Sequence, residues 1–152
     1  MPISDYTPNV SEVAAILWAR TRDAEGTLVG TFNSNTEPTD TQVVNMITEA
    51  VNEISASAGT DLPGELIIKL AKRVVILLAA MNVELSYFPE QVQTANSPYE
   101  ALERRFNASL KRLLTEISEA GGGTAPGDSA GVISQYPSGG FPEVDSYMGR
   151  RW

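Results

Sequence analysis

Histidine and cysteine, the residue types that most often carry chemistry in proteins, are both absent from this 152-residue sequence. Without histidine, the chain lacks the commonest general base at neutral pH and the commonest metal ligand. Without cysteine, it has no thiol nucleophile, no disulfide and no cysteine-based zinc site. A Ser-His-Asp triad is therefore excluded, and we expect that the chain is not an enzyme.

Paired carboxylates are the remaining candidates for metal chemistry. Glu100 with Glu103, and Glu116 with Glu119, stand three residues apart and so share a helix face. Carboxylate oxygens bind divalent cations, but two of them without further oxygen ligands make a weak site. The run Gly121–Gly123 lacks the Lys-Ser/Thr that follows a phosphate-binding loop. We therefore predict neither a metal site nor a cofactor.

The charge balance argues against tight binding of nucleic acid. Eleven basic and nineteen acidic residues give a formal net charge of −8. A protein that neutralises many phosphates gains affinity by releasing counterions, and it needs a basic surface to do so. An acidic surface suits a soluble protein, or a wall along which DNA passes without sticking.

No segment of the sequence predicts membrane insertion. The most apolar run, Val74–Met81, has eight residues, whereas a helix that spans a bilayer needs about 20. The first ~30 residues lack the basic and apolar regions of a signal peptide. We expect a protein that is made in the cytoplasm and has no membrane partner.

Capping signals mark the start of the first two of four predicted helices. Asn9-x-x-Glu12 and Thr39-x-x-Gln42 match capping boxes, in which each side chain bonds the other residue's backbone amide. The first box opens a helix over about 10–19. The second opens a helix that Gly59 ends. An apolar stripe along this second helix predicts a buried face, made of Val43, Val44, Ile47, Ala50, Val51 and Ile54.

The third and fourth helices are longer. Pro63 at a first-turn position opens the third helix, which runs to about Ser86 before Tyr87-Phe88-Pro89 ends it. Ser97-Pro98-x-Glu100 opens the fourth helix with an N-cap serine, a first-turn proline and a third-position glutamate. One face of the fourth helix is apolar and consists of Leu102, Phe106, Leu110, Leu113 and Ile117. Its opposite face, predicted to face solvent or a channel, carries the basic residues Arg104, Arg105, Lys111 and Arg112.

The third helix is apolar nearly all round, which indicates that it is buried on several sides. Burial inside one subunit and burial between neighbouring subunits fit this pattern equally. We predict that its apolar residues, with the aromatic pair that follows, contribute to packing between subunits. These residues are Leu66, Leu70, Val74, Leu77, Met81, Tyr87 and Phe88.

The last 32 residues differ in character from the rest, since they hold eight of the twelve glycines and show no helical or strand period. Alone in water such a segment is expected to be flexible. It nevertheless carries bulky apolar residues that a plain spacer does not need, and these favour docking onto a partner. The predicted docking residues are Val132, Ile133, Tyr136, Phe141, Tyr147 and Trp152.

Together these patterns predict a mainly α fold. We expect a bundle of three or four helices, a small extended or hairpin element within Thr27–Phe32, and a long Gly-rich extended C-terminal arm. The predicted division is an N-terminal arm over residues 1–8, a helical domain over 9–120 and a flexible arm over 121–152.

Several segments, taken in order along residues 9–117, resemble the head-to-tail adaptor (connector) proteins of long-tailed double-stranded DNA bacteriophages. The matching segments are Trp18–Asp23, Gly30–Phe32, Pro38-Thr39 before a helix, Glu84–Gln91 and Ser97–Glu100. The last two segments, in succession, are the most specific part of the resemblance.

The resemblance implies a structural virion protein of the phage neck. Such an adaptor forms a ring of about twelve copies on the portal protein, extends the DNA channel and provides the attachment face for the next neck or tail component. Its C-terminal arm embraces the portal, and double-stranded DNA passes through without sequence-specific binding. The protein is then made in the host bacterial cytoplasm and ends in the virion. Two alternatives stay open: a head-closure or tail-completion protein, which is often richer in β structure, and a non-structural helical regulator with a binding tail.

Overall fold

The structure, a computed structural model, describes residues 3–92 and 97–121. Within these ranges the chain is mainly helical and contains no strand, which confirms the mainly α class. The α-helices span Val10–Ile16 (α1), Asp40–Ala58 (α2), Glu65–Tyr87 (α3), Pro89–Val92 (α4) and Pro98–Ala120 (α5). Single turns of 3-10 helix span Ile3–Tyr6 and Trp18–Arg20. The predicted docking residues of the C-terminal arm lie outside the described residues.

The predicted caps are present at the starts of α1 and α2. In α1, Asn9 Oδ1 accepts from the Glu12 amide at 3.0 Å and Glu12 Oε2 accepts from the Asn9 amide at 2.9 Å. In α2, Gln42 Oε1 accepts from the Thr39 amide at 2.8 Å, and Thr39 Oγ1 accepts from the Gln42 amide at 3.4 Å. Each box satisfies two amides that the helix leaves without a partner, so these starts follow from local sequence.

The first helix is shorter than the sequence predicts. Its α-helical part ends at Ile16, and the chain continues as the tighter turn Trp18–Arg20. The amide of Arg20 donates to the carbonyl of Leu17 at 2.8 Å, which closes this turn with a one-residue-shorter hydrogen bond. The prediction of a helix to residue 19 was wrong, because the spacing of apolar residues does not distinguish an α-helical turn from a 3-10 turn.

The third helix begins at Glu65, two residues after Pro63, so the placement of Pro63 in its first turn was wrong. Gly64 is the N-cap instead, with a φ of +80° that glycine adopts without steric cost. The other end agrees with the sequence, since α3 stops at Tyr87 and Phe88 is its C-cap.

The helix α3 is the centre of the described structure. It packs against α1, α2 and α5, and against the turn Ile3–Tyr6. Its all-round apolar pattern is therefore explained largely by burial within one chain. Complete burial of each larger aliphatic side chain contributes roughly 1.5–3 kcal/mol. The residues of α3 with no exposed surface are Ala71, Val74, Val75, Leu77, Ala79, Ala80 and Val83.

The helices α2 and α5 each bury one face and leave the other in solvent. On α2 the predicted stripe is buried except at Val44, which is 47% exposed. On α5 the predicted apolar face is buried at Leu102 and Leu113, and half-buried at three more positions. These positions are Phe106, Leu110 and Ile117.

The segment between α1 and α2 forms the predicted small hairpin only in minimal form. It holds two isolated β-bridges, Arg22 with Leu28 and Asp23 with Thr36, and no continuous ladder. The Asp23 amide donates to the Thr27 carbonyl at 3.0 Å, and the Val29 amide donates to the Thr21 carbonyl at 2.8 Å. The Asp23 carboxylate closes the turn between the first pair by accepting from the Thr27 amide at 2.7 Å. The strand expected over Thr27–Phe32 is therefore reduced to a single bridge with two backbone hydrogen bonds, and a side chain closes its turn.

No helix in the described part of the chain is both long enough and apolar enough to cross a bilayer.

The Glu12 carboxylate is expected to contribute pH-dependent stability. Burial acts to raise its pKa, but hydrogen bonds from Lys72 and from the Asn9 amide, with the charge of Lys72, lower it overall. A carboxyl whose pKa is lower in the folded state stabilises the fold above its unfolded pKa and loses that contribution as pH falls through the folded value. Glu12→Gln should therefore lower the free energy of unfolding at pH 7 by about 0.5–1 kcal/mol.

Urea unfolding at several pH values tests this expectation. The difference from the wild type should shrink as pH falls below 4.5, the ordinary pKa of the group. The matched control is Glu49→Gln, which removes an exposed carboxylate from the middle of α2 that has no ion pair among the described residues, and should leave stability unchanged. A stability loss for Glu12→Gln that stayed constant down to pH 3 would contradict the role of the charge.

Candidate functional site

Arg20 and Glu84 form an ion pair that joins the turn after α1 to the last turn of α3. Arg20 Nε donates to Glu84 Oε1 and Arg20 Nη2 donates to Glu84 Oε2, both at 2.7 Å. The Glu84 side chain is 2% exposed and the Arg20 side chain 15% exposed. Two parallel bonds from a planar guanidinium give this pair a single preferred geometry. The pair therefore fixes where the chain after α1 lies on α3.

The ring of Phe88 packs against the same guanidinium. Arg20 Cζ lies 4.2 Å from the ring centroid, which is a cation–π contact. The amide of Phe88 donates to the Glu84 carbonyl at 2.9 Å, so the residue that stacks on Arg20 also ends α3. Both contacts require arginine. The ammonium group of lysine cannot donate two parallel hydrogen bonds to a carboxylate, and it has no flat face to stack on an aromatic ring.

The indole of Trp18 covers the backbone of Gly30. A β-carbon at Gly30 would lie 2.7 Å from the Trp18 ring, so the close approach needs a glycine. The buried hydroxyl of Thr21 holds the two segments together, since it accepts from the Gly30 amide at 3.0 Å and donates to the Trp18 carbonyl at 2.8 Å. Trp18 is itself 54% exposed, and so it presents an aromatic surface to solvent.

An open groove of about 350 Å³ adjoins the ion pair. Its lining comes from α1 and the turn after it, from α3, and from the first turns of α5. Arg20, Glu84 and Arg105 are its polar residues. The apolar lining consists of Ile16, Leu17, Ala19, Pro98, Ala101 and Leu102.

A second groove of about 360 Å³ adjoins the first, since Ile16 and Arg105 line both. Arg73 and Arg105 line this second part, and neither guanidinium has an ion-pair or hydrogen-bond partner among the described residues. Glu12 also lines it, but its carboxylate accepts from Lys72 Nζ at 2.8 Å and from its own N-cap amide. We call the two parts together the α1–α3–α5 groove. It is an apolar surface bordered by unpaired positive charge.

The residues predicted to pack between subunits lie at different depths in the single chain. Val74 and Leu77 have no exposed surface, and Met81 is 6% exposed, so they pack within the chain's own core. Leu66 is 54% exposed. The other members are half-buried, and these are Leu70, Tyr87 and Phe88. Val74 and Leu77 offer a neighbouring subunit no surface, so their predicted role between subunits was wrong. For the other members this contact stays a prediction, and Leu66 has the largest free surface for it.

The predicted basic face of α5 is exposed at Arg104, Arg105, Lys111 and Arg112. Its charges are mixed with acidic ones, as in the pair between Arg112 Nε and Glu116 Oε1 at 3.8 Å. Arg105 differs from the other three because it lines the groove. This face offers separated charges and does not form a continuous positive strip.

Within residues 3–92 and 97–121, no three acidic side chains are grouped closely enough to hold a metal ion. The described surface presents exposed aromatic and aliphatic side chains and the α1–α3–α5 groove. The Arg20–Glu84 pair was not predicted from the sequence, although the segments Trp18–Asp23 and Glu84–Gln91 contain its two residues. The only signal was a carboxylate in an otherwise apolar stretch of α3, which has to find a partner when it is buried.

Comparison of the chain with models of protein families, with curated proteins and with solved structures finds no match. What this surface does must therefore be inferred from its own residues and contacts.

Loss of the buried ion pair is expected to be costly. Glu84→Gln leaves the Arg20 guanidinium without its charged partner, and should lower the free energy of unfolding by about 3 kcal/mol. The matched control, Glu116→Gln, removes a surface ion pair and should change it by less than about 0.5 kcal/mol. Urea unfolding followed by circular dichroism measures both. Equal, small losses in the two variants would contradict the importance of the buried pair.

Gly30→Ala is expected to displace Trp18. The variant places a β-carbon under the indole at a φ of +87°, whereas Gly26→Ala meets the same backbone strain at +81° with nothing within 4 Å. Both should lose about 1 kcal/mol of stability. Because Trp18 is half exposed and free to move aside, only Gly30→Ala should change its fluorescence. Measured with Trp152→Phe in both backgrounds, equal spectra for the two variants would show that the indole does not lie on Gly30.

Proposed function

We propose that this chain is a structural protein of a bacteriophage neck. It acts as an adaptor that forms a ring on the portal protein, extends the DNA channel and provides the attachment face for the next neck or tail component. The ring contains about twelve copies, as cyclic assembly of one chain allows. On this proposal the protein is not an enzyme, carries no cofactor and resides in the virion after synthesis in the host cytoplasm.

The observation that carries the proposal is that four of the five segments of the adaptor resemblance lie close together in the fold. Trp18–Asp23 meets Gly30–Phe32 through the indole on Gly30, and meets Glu84–Gln91 through the Arg20–Glu84 pair. Ser97–Glu100 caps α5 and contributes Pro98 to the groove beside that pair. Residues that are far apart in the sequence thus form one connected cluster, as expected of a pattern that specifies a fold.

Exposed apolar side chains supply the surfaces that a ring requires. In cyclic symmetry each subunit presents two different complementary faces to its neighbours. One apolar surface is carried by Trp18, Leu28 and Val29, which are 38–54% exposed. Leu66 and Leu85 are exposed near the two ends of α3. Surfaces on separate elements fit contact with two neighbours better than contact with a single ligand.

The charge distribution fits a conduit for DNA. The net charge of −8 disfavours retention of a polyanion. The four basic residues of α5 are flanked by four acidic ones, two before and two after them, so the helix carries no net positive charge with which to hold phosphates. DNA can then pass along such a wall without being held.

Two alternatives predict different observations. A head-closure or tail-completion protein is expected to be richer in β structure, and the absence of strands from the described residues favours the adaptor. A helical regulator with a binding tail would associate with a host protein and would not enter particles.

Affinity purification of the tagged chain from infected cells tests the proposal. The wild type should co-purify with the portal and a neighbouring neck protein at fixed stoichiometry. Phe141→Ser with Tyr147→Ser and Trp152→Ser should lower portal recovery by at least about tenfold, because these aromatic residues are proposed portal contacts.

The matched control is a triple variant of the same arm, Ser129→Ala with Ser138→Ala and Ser146→Ala, which should recover the portal like the wild type. Recovery of a host enzyme or transcription factor without capsid proteins would contradict the adaptor role and support the role of a regulator. If the variant without the aromatic residues still recovered the portal, the proposed contact between the arm and the portal would be contradicted.

A further inference from the structure

The α1–α3–α5 groove is left open by the described part of the chain. Its wall next to the ion pair is apolar, and its continuation carries the guanidinium groups of Arg73 and Arg105 without partners among the described residues. The two acidic residues that line it are already engaged, Glu84 with Arg20 and Glu12 with Lys72. An occupant that suits the groove therefore brings apolar side chains together with a carboxylate.

We propose that residues Val132–Tyr136 of the same chain dock into this groove while the protein is free in solution. They are the first bulky apolar residues after α5, since the ten residues of 122–131 contain none. The inference concerns a contact within one chain, and it does not depend on a role in the phage neck.

The length of the intervening segment matches the distance to the groove. Arg105 lies 16 residues before Gly121 and Ala101 lies 20 residues before it, which correspond to about 24 and 30 Å along α5. The 11 residues from Gly121 to Val132 can span at most about 36–40 Å. A chain that reverses direction after the glycine run and returns along α5 can thus reach the groove with Val132.

Charge complementarity places the segment in the same register. Asp128 is the only charged residue between Gly121 and Val132. Seven residues after Gly121, it can reach about 23–25 Å back along α5, the distance of Arg105. A carboxylate there also offsets the repulsion between the two unpaired guanidinium groups.

Docking within the chain is favoured over docking of a second copy or of another protein. A short tether gives the segment an effective concentration of about millimolar at the groove, far above the concentration of any separate molecule in a dilute solution. Only part of the arm is used, because Phe141, Tyr147 and Trp152 lie beyond the docked residues in the sequence.

Disulfide trapping in the full-length chain tests the proposal, since the native sequence has no cysteine that could compete. The pair Ala101→Cys and Ser134→Cys places one thiol in the groove and one between Ile133 and Tyr136. Ala101 is exposed and Ser134 is outside the described residues, so neither change removes a core contact. Under mild oxidation this pair should close a disulfide within one chain at least about tenfold faster than a control pair does.

The control pair is Asn107→Cys with Ser134→Cys. Asn107 is exposed about 200° around α5 from Arg105, and a freely moving tether reaches it as readily as the groove. Ile133→Ser in the first pair should reduce its rate to that of the control. Equal rates for the two pairs would overturn the proposal, as would a disulfide-linked dimer whose rate rises with protein concentration, because the occupant would then be a second copy.

Discussion

The buried pair between Arg20 and Glu84 is the contact on which the arrangement around it depends. Removing two charges from water costs several kcal/mol for each ion, and the attraction offsets that cost only when the geometry is close to ideal. Here two bonds of 2.7 Å and a stacked Phe88 ring meet that condition. The pair holds the turn after α1 on the end of α3, which places Trp18 over Gly30 and leaves the groove beside α5. We infer that its main contribution is to select one arrangement of these segments.

The surfaces that remain after folding share a common character, which is apolar area edged by charge. The α3 helix buries most of its apolar surface inside the chain. The apolar surface that stays available to partners lies at the exposed ends of α3, in the loop around Trp18 and in the groove. Docking of Val132–Tyr136 would cover the groove in the free protein, while the later aromatic residues of the arm stay available for a partner. Ordering of the arm would then proceed in two steps, and the second would occur on assembly.

Local sequence accounts for much of the fold because helix starts are short-range features. The boxes at Asn9 and Thr39 and the cap at Ser97 depend on residues three apart, and all three are present. The early end of α1 could not be predicted from the spacing of its apolar residues, because the 3-10 turn that follows still buries Leu17 with the apolar face of α1. The loop between Arg22 and Thr36 combines isolated bridges with side-chain hydrogen bonds, and such irregular contacts leave no period in the sequence. The partnership of Arg20 with Glu84 spans 64 residues, a distance over which a single sequence carries no pairing signal.

The central claim is that this chain is a component of the phage particle, and the most direct test is its copy number in purified particles. Quantitative mass spectrometry, with peptides of the major capsid protein and the portal as internal references, gives that number without any change to the chain. The account predicts a constant ratio that corresponds to about twelve copies per particle, equal to the portal within a factor of about 1.5. Absence from particles, in cells where the chain is abundant, would contradict it.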